Sequence, residues 1–473
     1  MIAQMETMAQ TVARARAVFN SGVSRPVAWR REQLHALNRM LVERQGEIAA
    51  ALEADLGKHA SESWLTEIGF LTAEIAHTLK HLKRWLAPEA SAVPVALAPA
   101  AAKIVLEPLG VVLVIGPWNY PIQLLLAPVI GALAAGNTVV AKPSELAPAS
   151  SAVLARLVPE YLPDAVRIVQ GGVAETTELL EQRFDHIFYT GNGRVGRIVM
   201  AAAAKHLTPV TLELGGKSPT YVDDTTDLEV AAARIAWGKF MNAGQTCVAP
   251  DYVLGTAEVL DRLAALLPAA IERFYGVDPK SSGEYGRIIH EGAFARLTAL
   301  LEDDDVELVT GGAADAAQKY LAPTVVRAGA DSKVMQEEIF GPILPLVAVD
   351  GLEDAIGFIT ARDKPLALYV FSEDAAVRQA FTERTSSGAL AFGVPAAHLL
   401  VPGLPFGGVG ESGMGRYHGR HSLRTFSHPK AVLDKPMKPD TMVLVYPPFG
   451  ALRNQIIRRL VAPAARIRRR GKA

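Results

Sequence analysis

The sequence holds one cysteine, Cys247, in the run Gly244-Gln245-Thr246-Cys247-Val248-Ala249-Pro250-Asp251. A lone cysteine forms no internal disulfide and no multi-cysteine metal site, so it is either a small buried side chain or a thiolate nucleophile. Three other runs carry groups that could serve such a nucleophile. Gly116-Pro117-Trp118-Asn119-Tyr120-Pro121 fixes an amide between two prolines. That is a good donor to a developing oxyanion, although an asparagine in a turn is commonplace. Glu213 opens Glu213-Leu214-Gly215-Gly216-Lys217-Ser218-Pro219 after the apolar run Val210-Thr211-Leu212. A carboxylate at a strand end beside two glycines suits a general base, because glycine lets other groups approach closely. Glu337-Glu338-Ile339-Phe340-Gly341-Pro342 sets a carboxylate two residues before an aromatic ring.

Two further elements suit a nucleotide. Thr190-Gly191-Asn192-Gly193-Arg194-Val195-Gly196 is a G-x-G-x-x-G run between an apolar strand and Arg197-Ile198-Val199-Met200. Backbone amides and a helix dipole there can receive a pyrophosphate. A tight turn permitted by glycine is the competing reading, since this is not the first βα turn and the acidic residue about twenty positions on heads another motif. Lys142-Pro143-Ser144-Glu145 follows a second strand and could grip a ribose diol or a phosphate, or be a solvated pair. Pro405-Phe406-Gly407-Gly408-Val409-Gly410-Glu411-Ser412-Gly413-Met414-Gly415 is dense in glycine, as a backbone-lined loop would be.

The elements that must position these groups are legible from periodicity. Leu34, Leu37 and Leu41 recur at helical spacing within an N-terminal stretch that reads as helix. Pro88, Pro94 and Pro99 then punctuate an Ala-rich connector or set of edge strands. From Lys103, short apolar runs alternate with helical segments: Val111 to Ile115, Asn137 to Ala141, Val166 to Val169 and His186 to Tyr189. This alternation predicts βαβ units and a parallel sheet, and a second α/β stretch runs from Thr211 to Leu400. The longest apolar stretch, Leu124 to Gly136, falls short of the roughly 18 residues of a spanning helix and reads as broken by Pro128.

Half of the 473 residues are hydrophobic and 21% charged, as in a soluble globular protein with a large core. With no disulfide framework and no secretory signal, the expected compartment is the cytoplasm. The net charge of −1 conceals an asymmetry: after Asp440 come eight basic residues and no acidic one, so the body carries about −9. An acidic body argues against a general nucleic-acid binder.

In this order and spacing, the six motifs Pro-Trp-Asn-Tyr-Pro, Lys-Pro-Ser-Glu, Glu-Leu-Gly-Gly-Lys-Ser-Pro, Gly-Gln-Thr-Cys, Glu-Ile-Phe-Gly-Pro and Pro-Phe-Gly-Gly-Val-Gly resemble the aldehyde dehydrogenase superfamily over nearly the whole chain. The compact N-terminus, Gly413-Met414-Gly415-Arg416-Tyr417-His418-Gly419 and the late Tyr446-Pro447-Pro448-Phe449 are most similar to its class 3 branch, which includes fatty, aromatic and coniferyl-type aldehyde dehydrogenases. The resemblance implies a Rossmann-type NAD domain (1–85 and 104–210), an α/β catalytic domain (211–424), a small strand-rich bridging element (86–103 and 425–440) and a C-terminal extension with a basic tail (441–473). It implies Cys247 as nucleophile, Asn119 with the Cys247 backbone amide as oxyanion donors, and Glu213 as the base that hydrolyses a thioester. It places Lys142 and Glu145 at the adenosine ribose, Gly191 and Gly196 in the pyrophosphate turn, Glu338 at the nicotinamide ribose and Phe340 against the nicotinamide. It implies no metal. A carboxylate at the ribose favours NAD, and class 3 relatives often use both, so NADP stays open.

The implied partners are an aldehyde substrate and a second copy of the chain in a homodimer. Apolar Pro395, Ala396, Ala397, Leu399 and Leu400 stand where the class borders its substrate channel, which points to a fatty or aromatic aldehyde. The alternatives are a semialdehyde dehydrogenase of central metabolism, which would need a cationic anchor, and a catalytically silent scaffold. Two departures stand out: Gly191-Asn192-Gly193 where the family usually has Gly-Ser-Thr, and Ala391-Phe392-Gly393-Val394 where an Asn-Asp-like pair is usual. In the tail, Ile456, Ile457 and Leu460 share a helical face before Pro463, so the basic end is either disordered or a short amphipathic helix for an anionic membrane surface.

Overall fold

The apolar runs form the middle of a mostly parallel sheet in the computed structural model, which describes residues 7–461. Strands β1 (Val111–Ile115), β2 (Thr138–Lys142), β3 (Val166–Ile168), β4 (His186–Thr190) and β5 (Val210–Glu213) lie in the order β5-β4-β1-β2-β3. The two-residue strand Gly413–Met414 runs antiparallel along β5. Every residue of β1, β2 and β4 is buried, so these strands need no polar face. On one face, Val111, Leu113 and Ile115 join Val140, Ile187 and Leu212 in a cluster with Val12 and Ala15 of the first helix. On the other, Phe188 meets Phe426, which also lies against Gly131 of the helix Gln123–Ala135.

After β3 the chain returns on the far side of β1 to form β4, so the strand order reverses between β1 and β4. Ligands of open α/β sheets bind outside the carboxyl ends of the strands at such a reversal. The carboxyl ends of β1, β2, β4 and β5 lead into Asn119, Lys142, Gly191 and Glu213 respectively.

The helix Gln123–Ala135 is buried at every position and continuous through Pro128. The expectation that Pro128 breaks this stretch is therefore corrected. Packing on all sides outweighs a penalty of about 3 kcal/mol for an interior proline. The helix ends at Gly136, in the left-handed region at φ 93°, and the buried Arg30 guanidinium donates to Ala134 O at 3.3 Å. Burial lowers the Arg30 pKa to about 10. The N-terminal stretch is helical as expected, with Leu34, Leu37 and Leu41 fully buried, and contains a π-helical turn at Trp64–Ile68.

A second sheet holds β6 (Pro219–Val222), β7 (Tyr252–Gly255), β8 (Val306–Thr310), β9 (Thr324–Ala328), β10 (Ile343–Ala348), β11 (Ala367–Phe371) and β12 (Ala389–Phe392) in the order β8-β9-β10-β7-β6-β11-β12. All neighbours pair in parallel except β8 with β9. Both sheets belong to one compact unit, built from residues up to Leu82 and Pro108–Phe426. Lys83–Glu107 and the residues from Ser427 on form a second unit. There, strands Glu89–Ser91, Ala101–Pro108 and Ser427–Asp434 make a three-stranded sheet.

The helix Ala451–Val461 is present in the second unit, with Ile456 and Ile457 half-buried and Leu452 exposed. Pro463, Arg466, Arg468, Arg469, Arg470 and Lys472 of the basic tail lie outside the described residues. No helix among the described residues is long and apolar enough to cross a membrane.

Asn137 ties this core together. Its Oδ1 accepts from Gly110 N (2.8 Å), and its Nδ2 donates to Ala132 O (3.1 Å) and Phe426 O (2.9 Å), all buried. Asn137→Ala leaves these groups unpaired and is expected to lower unfolding free energy by about 2–4 kcal/mol in denaturant titration. A loss below about 0.5 kcal/mol would show that the backbone finds other partners.

Candidate active site

Two sets of strand ends converge. The carboxyl edge of the first sheet supplies Asn119, Lys142, Gly191 and Glu213, and the segments leading into β6, β7 and β10 supply Gly215-Gly216, Cys247 and Glu338 to Phe340. The hydrogen bond from Asn119 Nδ2 to Gln245 O (3.0 Å) joins them, two residues from the thiol.

The loop carrying Cys247 is tightly wound. Asn242, Ala243 and Gly244 all have positive φ, at 53°, 52° and 75°. A Cβ at Gly244 would fall 2.2 Å from Gly341 O, so only glycine fits. The Gln245 side chain donates to Asn242 O and Arg287 O, each at 3.0 Å, and accepts from Ile289 N at 3.0 Å. Thr246 Oγ1 pairs with Tyr120 OH (2.7 Å), and Tyr369 OH donates to Val248 O (2.6 Å). Cys247, partly buried, is thus held from both flanks. Burial pushes its thiol well up, with Glu338 and Glu213 adding to the shift, while the backbone N–H groups of Cys247 and Val248 oppose it.

Glu213 is buried, and neither carboxylate oxygen has a hydrogen-bond partner among the described residues. Burial drives its pKa well above the carboxylate range, with Arg416 the opposing charge. The Tyr417 hydroxyl is likewise buried without a partner, and its pKa is raised by burial and then by Glu213 and Cys247. Cys247, Glu213 and Tyr417 therefore sense one another's charge in an enclosed space.

The remaining residues line up along the sheet edge. Lys142, buried, meets Glu145 Oε2 at 2.6 Å. Burial raises the half-exposed Glu145, but the Lys142 hydrogen bond, its own backbone N–H and the Lys142 charge together hold the carboxyl below its usual range. Gly191 N donates to Glu213 O (3.0 Å), and a Cβ on Gly191 would lie 2.2 Å from Tyr189 Oη. Gly196 lets the helix Gly193–Ala204 press on Leu214. Asn192, the departure noted above, caps that helix by accepting from Val195 N at 3.0 Å.

Glu338 accepts from Gly216 N–H and lies so close to Gly215 that a Cβ there would fall 1.9 Å from Oε2. Its loop is pinned by Lys217, which pairs with Asp251 and donates to Val334 O (2.8 Å) and Glu337 O (2.9 Å), and by Asp251, which accepts from Ile339 N (3.0 Å). Phe340, at φ 49°, sets its ring 5.4 Å from Trp118. A cation and carboxylate at one end, a glycine turn at a helix start, and a carboxylate and aromatic ring beside the thiol fit a nicotinamide dinucleotide laid across the reversal in strand order.

An apolar cavity of about 100 Å³ opens on Cys247. Ala396, Ala397, Leu399 and Leu400 line it as expected, whereas Pro395 does not; it packs on Gly238 instead. Sequence reasoning missed Phe70, Leu124, Trp237 and Met241 in its wall. Nothing in their local pattern separates them from core residues. Tyr417 and His418 also line it, and the glycine-bounded run that carries them was the available signal.

Fold and site together define an NAD(P)-dependent α/β dehydrogenase. The sequence profile of the aldehyde dehydrogenase family matches residues 2–432. A relative from Canis lupus familiaris, named "Aldehyde dehydrogenase, dimeric NADP-preferring", is 49% identical over 451 residues, 94% of this chain and 98% of its own. "Aldehyde dehydrogenase family 3 member H1" of Arabidopsis thaliana is 48% identical, over 95% of this chain and 94% of its own. The solved structure "Substrate bound state of Staphylococcus Aureus AldH" matches with a TM-score of 0.93 at 42% identity, covering 96% of this chain and 99% of that one. The chain belongs to the aldehyde dehydrogenase family, and its relatives include members of family 3, in agreement with the class 3 resemblance.

Burial, and then repulsion from Asp251, raises the Glu338 pKa from 4.5 to about 8. Because the folded value is the higher one, the stability this group contributes is complete below about 4.5 and is lost as pH rises through about 8. Wild type should therefore lose thermal stability relative to Glu338→Gln between pH 6 and 9. A constant difference in Tm across that range would show that Glu338 does not titrate there.

Proposed function

We propose that the enzyme oxidises an apolar aldehyde to its carboxylic acid through a covalent adduct on Cys247. The observation that carries this reading is the thiol at an apolar cavity with the Asn119 amide anchored beside it on Gln245 O. The Cys247 thiol first gives its proton to water; the thiolate then attacks the carbonyl carbon, forming a C–S bond as the carbonyl electrons move to oxygen. Asn119 Nδ2 has a second hydrogen beyond the one given to Gln245, and with the Cys247 N–H it receives that oxyanion. NAD(P), when bound, supplies the hydride acceptor that turns the thiohemiacetal into a thioester. Glu213 then takes a proton from water, the hydroxyl adds to the thioester carbon, and the C–S bond breaks to return the thiolate. The burial that raises the Glu213 pKa also makes its carboxylate a stronger base than an exposed one.

Lys142 and Glu145 would hold the adenosine ribose, the Gly191 to Gly196 turn the pyrophosphate, Glu338 the nicotinamide ribose and Phe340 the ring. Glu145 suits the 2′-hydroxyl of NAD, while the neighbouring Lys142 suits the 2′-phosphate of NADP, so the site accommodates both. The relative described as dimeric supports a homodimer, which we assign to the strand-rich segments 86–103 and 425–440. The basic tail is our candidate for contact with an anionic membrane surface.

Among the described residues, no Lys, Arg, Asp or Glu lines the first cavity, which argues against a semialdehyde with a charged end. His418, the histidine in its wall, is held neutral by burial at a pKa of about 3. A second cavity of about 250 Å³, mostly apolar but with Glu74 and Thr72 in its wall, shares Leu65, Phe70, Leu399 and Leu400 with the first and continues past Trp64 and Pro402. An alkyl tail fits this path.

Cys247→Ala should abolish oxidation while NAD(P) binding by fluorescence titration persists; an active variant would remove the nucleophile. Glu213→Gln should keep the first-turnover burst of reduced cofactor in rapid mixing but slow later turnovers by at least about 10²-fold. An unchanged steady state would remove the base. Across linear aldehydes, kcat/KM should climb about fourfold per methylene, from roughly 0.8 kcal/mol per buried CH₂, until the tail leaves the second cavity. A flat series, or a preference for semialdehydes, would overturn the substrate reading.

A further inference from the structure

The mechanism above makes no use of one fully buried ion pair. Lys58 Nζ lies 2.5 Å from Glu67 Oε1, and both side chains are 0% exposed. Burying two charges costs several kcal/mol per ion, and apolar replacements of similar shape are often as stable, so such a pair calls for a role in fixing geometry.

Its contacts say which geometry. Glu67 Oε2 accepts from Ile122 N (2.9 Å) and Gln123 N (3.2 Å), where the Asn119 turn enters the buried helix Gln123–Ala135. Lys58 Nζ donates to Asn119 O (3.4 Å) and stands 4.2 Å above the Tyr120 ring. Tyr120 OH in turn pairs with Thr246 Oγ1, next to Cys247. A second donor, Asn242 Nδ2, reaches the Asn119 carbonyl at 2.8 Å and also Gln245 O at 3.2 Å. The backbone from the Asn119 carbonyl to Gln123 is therefore held by one ion pair. The π-helical turn Trp64–Ile68 carries Glu67 inward while Trp64 and Leu65 stay exposed, and such turns gather at functional sites.

We propose that Lys58 and Glu67 are a positioning pair for the oxyanion donor: they touch no reacting atom but set where the Asn119 amide points relative to Cys247. This rests on the role given to Asn119 above. A displaced donor weakens stabilisation of the developing charge while the cofactor site, on other strand ends, is untouched.

The test is a double-mutant cycle in the full-length enzyme. Lys58→Met with Glu67→Gln removes both charges together and leaves an acceptor for the Ile122 and Gln123 N–H groups. It is expected to lower kcat about 30- to 100-fold, somewhat less than the roughly 10²–10³ for outright loss of one oxyanion donor, with KM for NAD(P) changed less than twofold. In an Asn119→Ala background the same pair of changes should lower kcat by no more than about threefold, because the donor being positioned is already gone. Glu67→Gln alone keeps the acceptor and one charge and should give an intermediate kcat, which supplies a second folded variant if the first is unstable. Full multiplication of the two effects, or an unchanged kcat in a folded variant, would overturn the positioning role. An Asn119→Ala enzyme with undiminished kcat would instead overturn the oxyanion assignment itself.

Discussion

The Asn119 to Gln245 hydrogen bond is the constraint on which the rest of the site depends. It spans the carboxyl end of β1 and the loop before β7, so it fixes one sheet's ligand edge against the other sheet's nucleophile loop. That loop could not otherwise keep its shape: three successive positive-φ residues, two of them not glycine, are strained and persist only when surroundings over-determine them. The Gln245 side chain, the Thr246–Tyr120 pair and the Tyr369–Val248 bond supply that over-determination, and nearly all of it is buried.

Burial has a second consequence, which is protonation. Cys247, Glu213 and Glu338 all have raised pKa values, chiefly through desolvation, and Glu338 and Glu213 add to the shift of Cys247. The empty hydrogen-bonding capacity of Glu213 belongs to the same arrangement: a base committed to a salt bridge would have a lowered pKa and little appetite for a proton. Arg416 is close enough to oppose the shift, yet its guanidinium donates to Gly408 O (2.6 Å) and Gly415 O (2.7 Å) and not to Glu213. The glycine-rich loop thus absorbs the cation and leaves the carboxylate free.

How much of this was legible in the sequence follows from which forces are local. Val111–Ile115 reads as a strand because five buried positions in a row leave a local record. Cys247, Asn119 and Glu213 were visible because each sits in a run whose glycines and prolines are needed for the turn. What the sequence does not record is pairing across distance. Glu213 stands beside Gly191, 22 positions earlier, through parallel pairing of β4 with β5, and nothing near either residue encodes that register. Lys58 and Glu67 read as ordinary charges on a helical surface, since burial by a distant turn leaves no local mark. Pro128 misleads for the same reason: its local preference is real, and tertiary packing overrides it.

The cofactor end shows how an ambiguity can be structural. Lys142 is buried and held on β2, whereas its partner Glu145 lies past the strand with its side chain 43% exposed. The cation is therefore fixed and the carboxylate is free to move. In the proposed placement a ribose hydroxyl would keep the carboxylate in place, whereas a 2′-phosphate would displace it toward solvent at the expense of one partly exposed ion pair, worth at most about 1 kcal/mol, and would pair with the lysine instead. The two cofactors then differ by less than the interactions common to both, and a site built this way has little basis for rejecting either.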